Sequence, residues 1–280
     1  MPPLDTEQSG LSQSRAGYGH RFPAGAQGGW RAPCPDLPDT SGGQILPLVR
    51  YHVRRALGAA LVLRIDPRRV TRHVGTNQPL THSARLALNA CDGRYPGLKP
   101  ATRPLRKLLY SIEPFRLRQA PFDRAIPIEQ EPRYGLLDDF IANRDRVERS
   151  LWFRRLRQAL DDHGQAAHKS IALRSEAAIL EFLNTYARDL VDSLERTGYD
   201  ASRAPDTATA LVDRHGAILK SDVGNHRFAA ARILGAGPFP LEILGVHRDW
   251  YRRHVGRAGM AGLRTALRAL EAAHRDDGAG

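Results

Sequence analysis

Residues Leu219 to Leu241 read LKSDVGNHRFAAARILGAGPFPL, and the rest of the chain is organised around them. The run reads as the end of a strand, a tight turn, a helix and the start of another strand. Gly224 permits the sharp turn, and Asn225 stands where a helix N-cap belongs. The helix is expected over Phe228 to Leu234, with Gly235 at the C′ position that favours left-handed backbone. A helix that begins this way presents free backbone N–H groups and a partial positive charge, and Arg227 adds a fixed cation. Phosphate suits that arrangement. An ordinary strand–turn–helix with a surface arginine would give the same letters, so both readings stand at this point.

Gly224, His226, Arg227, Ala229 and Ala230, followed by a Leu-Gly helix end and a proline-led strand, resemble the signature of the ParB/sulfiredoxin-like superfamily. The match runs from Asp206 to Trp250. In that superfamily this turn and helix start hold nucleotide phosphates. Its free-serine kinases carry an Asp-Gly-His-His-Arg version, its partition proteins Gly-Glu-Arg-Arg, and its sulfiredoxins Gly-Cys-His-Arg. The resemblance implies an α+β fold: a small mixed sheet with packed helices, a helical insertion over about 85–170 and a motif core at 175–250. It also implies ATP or CTP as the ligand, held by Gly224, Asn225, His226 and Arg227.

A triphosphate normally brings Mg²⁺, which takes hard oxygen ligands. Asp222 is the candidate metal ligand, or else the base that activates a hydroxyl. The usual Asp-Gly pair is split here by Val223. His226 is the second catalytic candidate, donating to a phosphate oxygen or shuttling a proton; a histidine that merely caps the turn is the plainer alternative. Sulfinic acid reduction needs a cysteine where Asn225 stands. Chromosome partition needs a helix-turn-helix and a dimerisation domain, for which residues 251–280 are too short. The Gly-x-His-Arg version therefore points to phosphotransfer onto a small hydroxyl compound. A DNA-binding or nuclease-like protein and a regulatory nucleotide-binding module are the competing expectations.

The chain carries 42 Lys and Arg against 30 Asp and Glu, a net charge of +12. Only Lys99, Lys107, Lys169 and Lys220 are lysines. Arginine binds phosphate bidentately where lysine acts as a point charge, so the balance fits nucleotide or nucleic acid. Aromatics at 7% are too sparse for an obvious base-stacking platform. Cys34 and Cys91 are far apart and form neither a metal spacing nor a disulfide framework, which suggests a reducing cytoplasm. No apolar run approaches the roughly 18 residues of a membrane span. With Asp5 and Glu7 and no apolar segment, the first residues are not expected to be a signal peptide.

Residues 1–43 are rich in Gly, Pro, Ser and Gln and are expected to be a disordered tail. Leu46 to Leu57 suggests a short helix and Leu61 to Ile65 a strand ending at Asp66-Pro67. The pattern over 68–121 is loose. FDRAIPIEQEPRY (Phe122 to Tyr134) gathers Asp123, Glu129 and Glu131 beside Arg124 and Arg133. A carboxylate there is a candidate base or metal ligand; a solvated loop with local ion pairs is the alternative. Tyr134 to Leu160 has helical spacing, with Arg144, Arg146, Arg149, Arg154, Arg155 and Arg157 on the other face as a candidate DNA contact. Ser175 is an N-cap, and the helix it starts closes at Gly198, with Asp192, Ser193 and Arg196 near its end as pocket candidates. Ala210 to Lys220 reads as a β-hairpin turning at His215-Gly216. The strand Leu241 to Val246 runs into a polar cluster beyond its end. This makes His247 and Arg248 candidate contacts to nucleotide or second substrate, and Trp250 a packing residue. A helix and a frayed tail are expected over 263–280.

Overall fold

The computed structural model describes residues 48–76, 81–168, 171–200 and 206–275. The expected disordered tail, Cys34 and the last residues lie outside this set. The chain begins with α1 (Arg50–Leu57), β1 (Val62–Ile65) and β2 (Arg72–His73). A helical hairpin follows, α2 (His82–Arg94) and α3 (Lys99–Ile112), then β3 (Arg116–Leu117), a single turn α4 (Ala120–Asp123) and β4 (Ile126–Pro127). Next come α5 (Pro132–Ala142), α6 (Leu151–His163) and a small hairpin of β5 (Ala166–His168) and β6 (Ile171–Leu173). The helices α7 (Glu176–Phe182) and α8 (Arg188–Thr197) are joined by a π-helical turn. The motif region is β7 (Ala208–Val212), β8 (Ile218–Lys220), α9 (Asn225–Leu234) and β9 (Phe239–His247), after which α10 (Arg248–His254) and α11 (Gly259–His274) close the fold.

The protein is α+β, with one mixed sheet in the order β1-β9-β7-β8-β2-β4 and β3 added beside the far end of β9. The hairpin β7–β8 is antiparallel, whereas β7–β9 and β8–β2 are parallel. Every residue of β7 and β8 is buried, as central strands covered on both faces must be. The apolar core unites this sheet with α5, α6, α7, α8, α9 and α11. α9 packs along α5, which places the motif helix against the middle of the chain.

Several local expectations hold because their chemistry is short-range. Ser175 accepts from Ala178 N at 3.1 Å, and Gly198 ends α8 with φ +66°. Gly216 turns the β7–β8 hairpin at φ +91°, and Gly235 closes α9 at φ +68°. Two expectations change. The helical pattern over 134–160 is two helices, broken after Ala142 and restarted at Ser150, whose hydroxyl accepts from Phe153 N. The segment 85–170 is not purely a helical insertion, because β3 and β4 within it are strands of the main sheet.

Candidate functional site

The turn between β8 and α9 is built so that only glycine fits at 224. Gly224 has φ +77°, and a Cβ there would lie 2.7 Å from Ala208 Cβ and 2.9 Å from Ala208 Cα. The backbone of the turn therefore presses directly on the start of β7. Gly224 itself is the N-cap of α9, no side chain caps the helix, and its first turn holds no acid. Glycine at the cap position offers no side-chain acceptor of its own to the opening turn of α9, behind which stands the positive end of the helix dipole.

Beneath the turn lies Lys220, 1% exposed at the end of β8. Its Nζ donates to the carbonyl oxygens of Ser221 and Val223 and to Asn225 Oδ1, the last two at 2.6 Å and 2.8 Å. A tetrahedral ammonium has three N–H groups for three converging oxygens, which the planar fork of arginine cannot match. Burial pushes the Lys220 pKa down to about 7, and the carboxylates of Asp222 and Glu131 pull against it.

Beside Lys220, in register across the β2–β8 pairing, stands His73. His73, Lys220, Asn225, Glu131, Tyr134, Ile128 and Phe228 line a small crevice at the foot of α9. His73 is 5% and Asn225 8% exposed, yet among the described residues His73 Nε2 and Asn225 Nδ2 make no hydrogen bond of good geometry, although the two side chains are close enough to interact. Burial, helped by the charges of Lys220 and Arg133, brings His73 down to about 4, while the Asn225 side chain pulls it up. His73 is therefore neutral at pH 7. Glu131 closes the crevice by capping α5, accepting from Arg133 N at 2.8 Å and Tyr134 N at 3.0 Å.

Asp222 lies on the rim, its Oδ2 3.3 Å from an Arg85 guanidinium nitrogen. Burial raises its pKa, and Arg85, Lys220 and Arg133 oppose that rise. Asp222 belongs to no three-membered metal set: among the described residues no group of three or more His, Cys, Asp or Glu could hold an ion. One carboxylate suffices for Mg²⁺ only when phosphate oxygens and water complete the shell.

The other expected site residues are distributed differently. Asn225 is the first residue of α9 and not its cap; its amide oxygen is turned inward to Lys220. The Arg227 guanidinium donates to Asp206 O at 2.9 Å, bracing the entry to β7. His226 does not line the crevice. It stacks on Trp152, ring centroids 5.4 Å apart and planes 5° from parallel, with His168 at 5.3 Å. Arg248 is far away for a topological reason: β9 runs parallel to β7, whereas the turn follows β8, which runs the other way. Arg248 consequently sits at the opposite end of the sheet, roughly 15 Å along the strands from Gly224. Its side chain is 63% exposed and pairs with Asp249 at 3.8 Å. His247 goes with it, its Nδ1 accepting from Asp249 N at 3.1 Å and its ring edge-on to Phe122. Trp250 is buried packing.

The three acids of the Phe122–Tyr134 stretch part company. Asp123 accepts from Gln119, Glu129 pairs with Arg232 of α9 at 2.6 Å, and only Glu131 reaches the crevice. On the basic face of α5–α6, Arg144 pairs with Glu195 at 2.6 Å, and Arg157 pairs with Asp161 and Glu176; Arg146, Arg149, Arg154 and Arg155 remain exposed.

Sequence reasoning passed over Lys220 and His73, the two groups at the centre of the site. The available signal was composition: a lysine inside an apolar strand of an otherwise arginine-rich chain marks a place where guanidinium does not fit. For His73 and Arg85 no local signal exists, because pairings distant in sequence bring them in. Among the described residues no helix is long and apolar enough to cross a membrane. Comparison with protein-family models, curated proteins and solved structures returned no match.

Proposed function

We propose that the turn Ser221–Gly224 and the first turn of α9 bind the phosphates of a nucleoside triphosphate, ATP or CTP, as in the ParB/sulfiredoxin-like proteins that the motif resembles. The observation that carries this reading is the acid-free start of α9, set behind a glycine that no other residue can replace without a clash. Two inward-facing groups support it. Among the described residues, Asn225 Nδ2 and His73 Nε2 are buried without a well-aligned hydrogen bond beside that helix start. The fields of Lys220 and Arg133 reach the same crevice. In this reading Asp222, which pairs with Arg85, would supply one oxygen ligand to a Mg²⁺ ion, and Arg227 would add charge at the edge of the site.

Transfer of a phosphoryl group to a small hydroxyl compound is the reaction class proposed. A hydroxyl needs one acceptor and one donor, which neutral His73 and Asn225 can supply. His226, held flat on Trp152, would act from the helix start as a positioning residue. The competing reading, DNA contact, draws on exposed Arg146, Arg149, Arg154 and Arg155; steep salt dependence of DNA retention would favour it.

Calorimetric titration of Mg–ATP, Mg–CTP and Mg–GTP into the wild-type chain and Arg227→Ala tests the proposal. Saturable binding, weakened in a variant with an unchanged circular-dichroism spectrum, is the expected result. No binding of any nucleotide to the wild-type chain would refute it.

A further inference from the structure

The α2–α3 hairpin is tied to the rest of the protein by little buried surface. No described side chain of either helix is buried. At the base of the hairpin, Thr81 donates from N and Oγ1 to the buried Glu113 carboxylate, at 3.1 Å and 2.7 Å. Tyr110 lies there too, its ring centroid 4.5 Å below the Arg50 guanidinium. The two helices hold each other through Arg106, which donates to Asn89 and Asp92, and through Thr102, which donates to Asp92. They form one piece hinged at its base. An element with so few buried contacts belongs to the low-stability end of a fold, from which parts that move on binding are drawn. From α2, Arg85 reaches across to the rim of the crevice and pairs with Asp222 at 3.3 Å.

The charges around the β8–α9 turn do not balance. Asp222, Glu131, Arg133 and Arg227 act on Lys220, and Arg85, Lys220 and Arg133 act on Asp222. Among these described residues, four basic groups face two carboxylates. Each carboxylate has its own arginine, Asp222 with Arg85 and Glu131 with Arg133 at 3.1 Å. Lys220 and Arg227 donate instead to neutral oxygens, those of Ser221, Val223, Asn225 and Asp206. A ligand with several negative charges corrects that excess. Arg133, Lys220 and Arg227 belong to α5, β8 and α9, which are packed into the core. Arg85 alone of the four stands on the loosely held hairpin. A phosphate chain offers its guanidinium paired oxygens, the geometry that the planar fork binds side by side.

We propose that Arg85 is a phosphate-binding residue of the nucleotide site, and that the α2–α3 hairpin closes on the bound phosphates as the Arg85 guanidinium moves from Asp222 to a phosphate oxygen. The proposal rests on the nucleotide reading and adds to it a residue that the Gly224–Arg227 motif does not contain.

The test uses the full chain, with calorimetric titration of inorganic tripolyphosphate and of ATP in EDTA, and amide hydrogen exchange over α2. Arg85→Ala is made in the wild-type and in the Asp222→Asn background. Alone, Arg85→Ala leaves the Asp222 charge unneutralised beside the site, which would itself repel phosphate; Asp222→Asn removes that charge. The Arg85 and Asp222 side chains are 28% and 25% exposed, so the variants should keep the wild-type circular-dichroism spectrum. Arg85→Ala is expected to weaken tripolyphosphate binding at least about tenfold in both backgrounds. Saturating ligand is expected to slow exchange over α2 in the wild type and not in Arg85→Ala. Phosphate binding that is indifferent to Arg85→Ala in the Asp222→Asn background would overturn the proposal, because the arginine then serves only to neutralise Asp222. Exchange over α2 that ligand leaves unchanged would overturn it as well. In both cases the nucleotide reading survives. A wild-type chain that binds neither ATP nor tripolyphosphate would overturn the two together.

Discussion

Replacing Gly224 by alanine isolates the geometry on which the site rests. Gly224 and Gly235 flank the same helix, and both have left-handed φ, +77° and +68°. A Cβ at Gly235 would meet nothing closer than Arg68 at 3.5 Å, an ordinary contact with a flexible side-chain end. Gly235→Ala should therefore cost only the left-handed penalty, about 1–2 kcal/mol. At Gly224 the added carbon would lie 2.7 Å from Ala208 Cβ and 2.9 Å from its Cα, so strand and turn must separate. Overpacking of that kind adds about 1–3 kcal/mol, for a total of about 2–5 kcal/mol. The assay is urea denaturation of both variants, read as the change in midpoint at constant slope. Ala208→Gly, introduced beside Gly224→Ala, removes the 2.7 Å overlap while leaving the 2.9 Å one, so a double-mutant cycle should show partial recovery. Equal losses for the two alanine variants, or no coupling between positions 208 and 224, would refute the reasoning.

Three further outcomes follow from the same contacts. Lys220→Met should lose about 2–4 kcal/mol in the same assay, because the oxygens of Ser221, Val223 and Asn225 lose their donor; removal of a buried charge offsets part of that. Lys220→Arg should do no better, its planar head being wrong for three converging acceptors. His73 titrates near pH 4 when folded and near 6.5 when unfolded. Its contribution is therefore complete above pH 6.5 and is lost as pH falls to 4, up to about 3 kcal/mol. Stability measured across that window should flatten in His73→Gln. Trp152→Ala should cost about 3–5 kcal/mol and disturb the environment of His226, readable as a shift of its ring NMR signals.

The motif helix, its left-handed close, the hairpin at Gly216 and the Ser175 cap were legible because each depends on residues within one turn of one another. The mixed sheet was only partly so. β2, β3 and β4 are two residues each, too short to alternate, and are defined by partners distant in the chain. The pattern over 134–160 kept helical spacing across a break, and the break is written in Ser150 and Asp139, which together cap the second helix. At the site, the letters gave the positions of Gly224 to Arg227 but not their directions. Asn225 turns inward because Lys220 holds it, and His226 turns to Trp152, a residue 74 positions earlier. Arg248 was misplaced because strand direction, set by parallel pairing with β7, is invisible in a single stretch.

The most direct test of the central claim is a ¹⁵N–¹H titration of the chain with Mg–ATP, followed at assigned backbone amides. Saturable shifts are expected at Asn225, His226 and Arg227 that fit one shared dissociation constant, with the amides around His247 and Arg248 unmoved. Shifts confined to the far end of the sheet, or none at the start of α9, would contradict it.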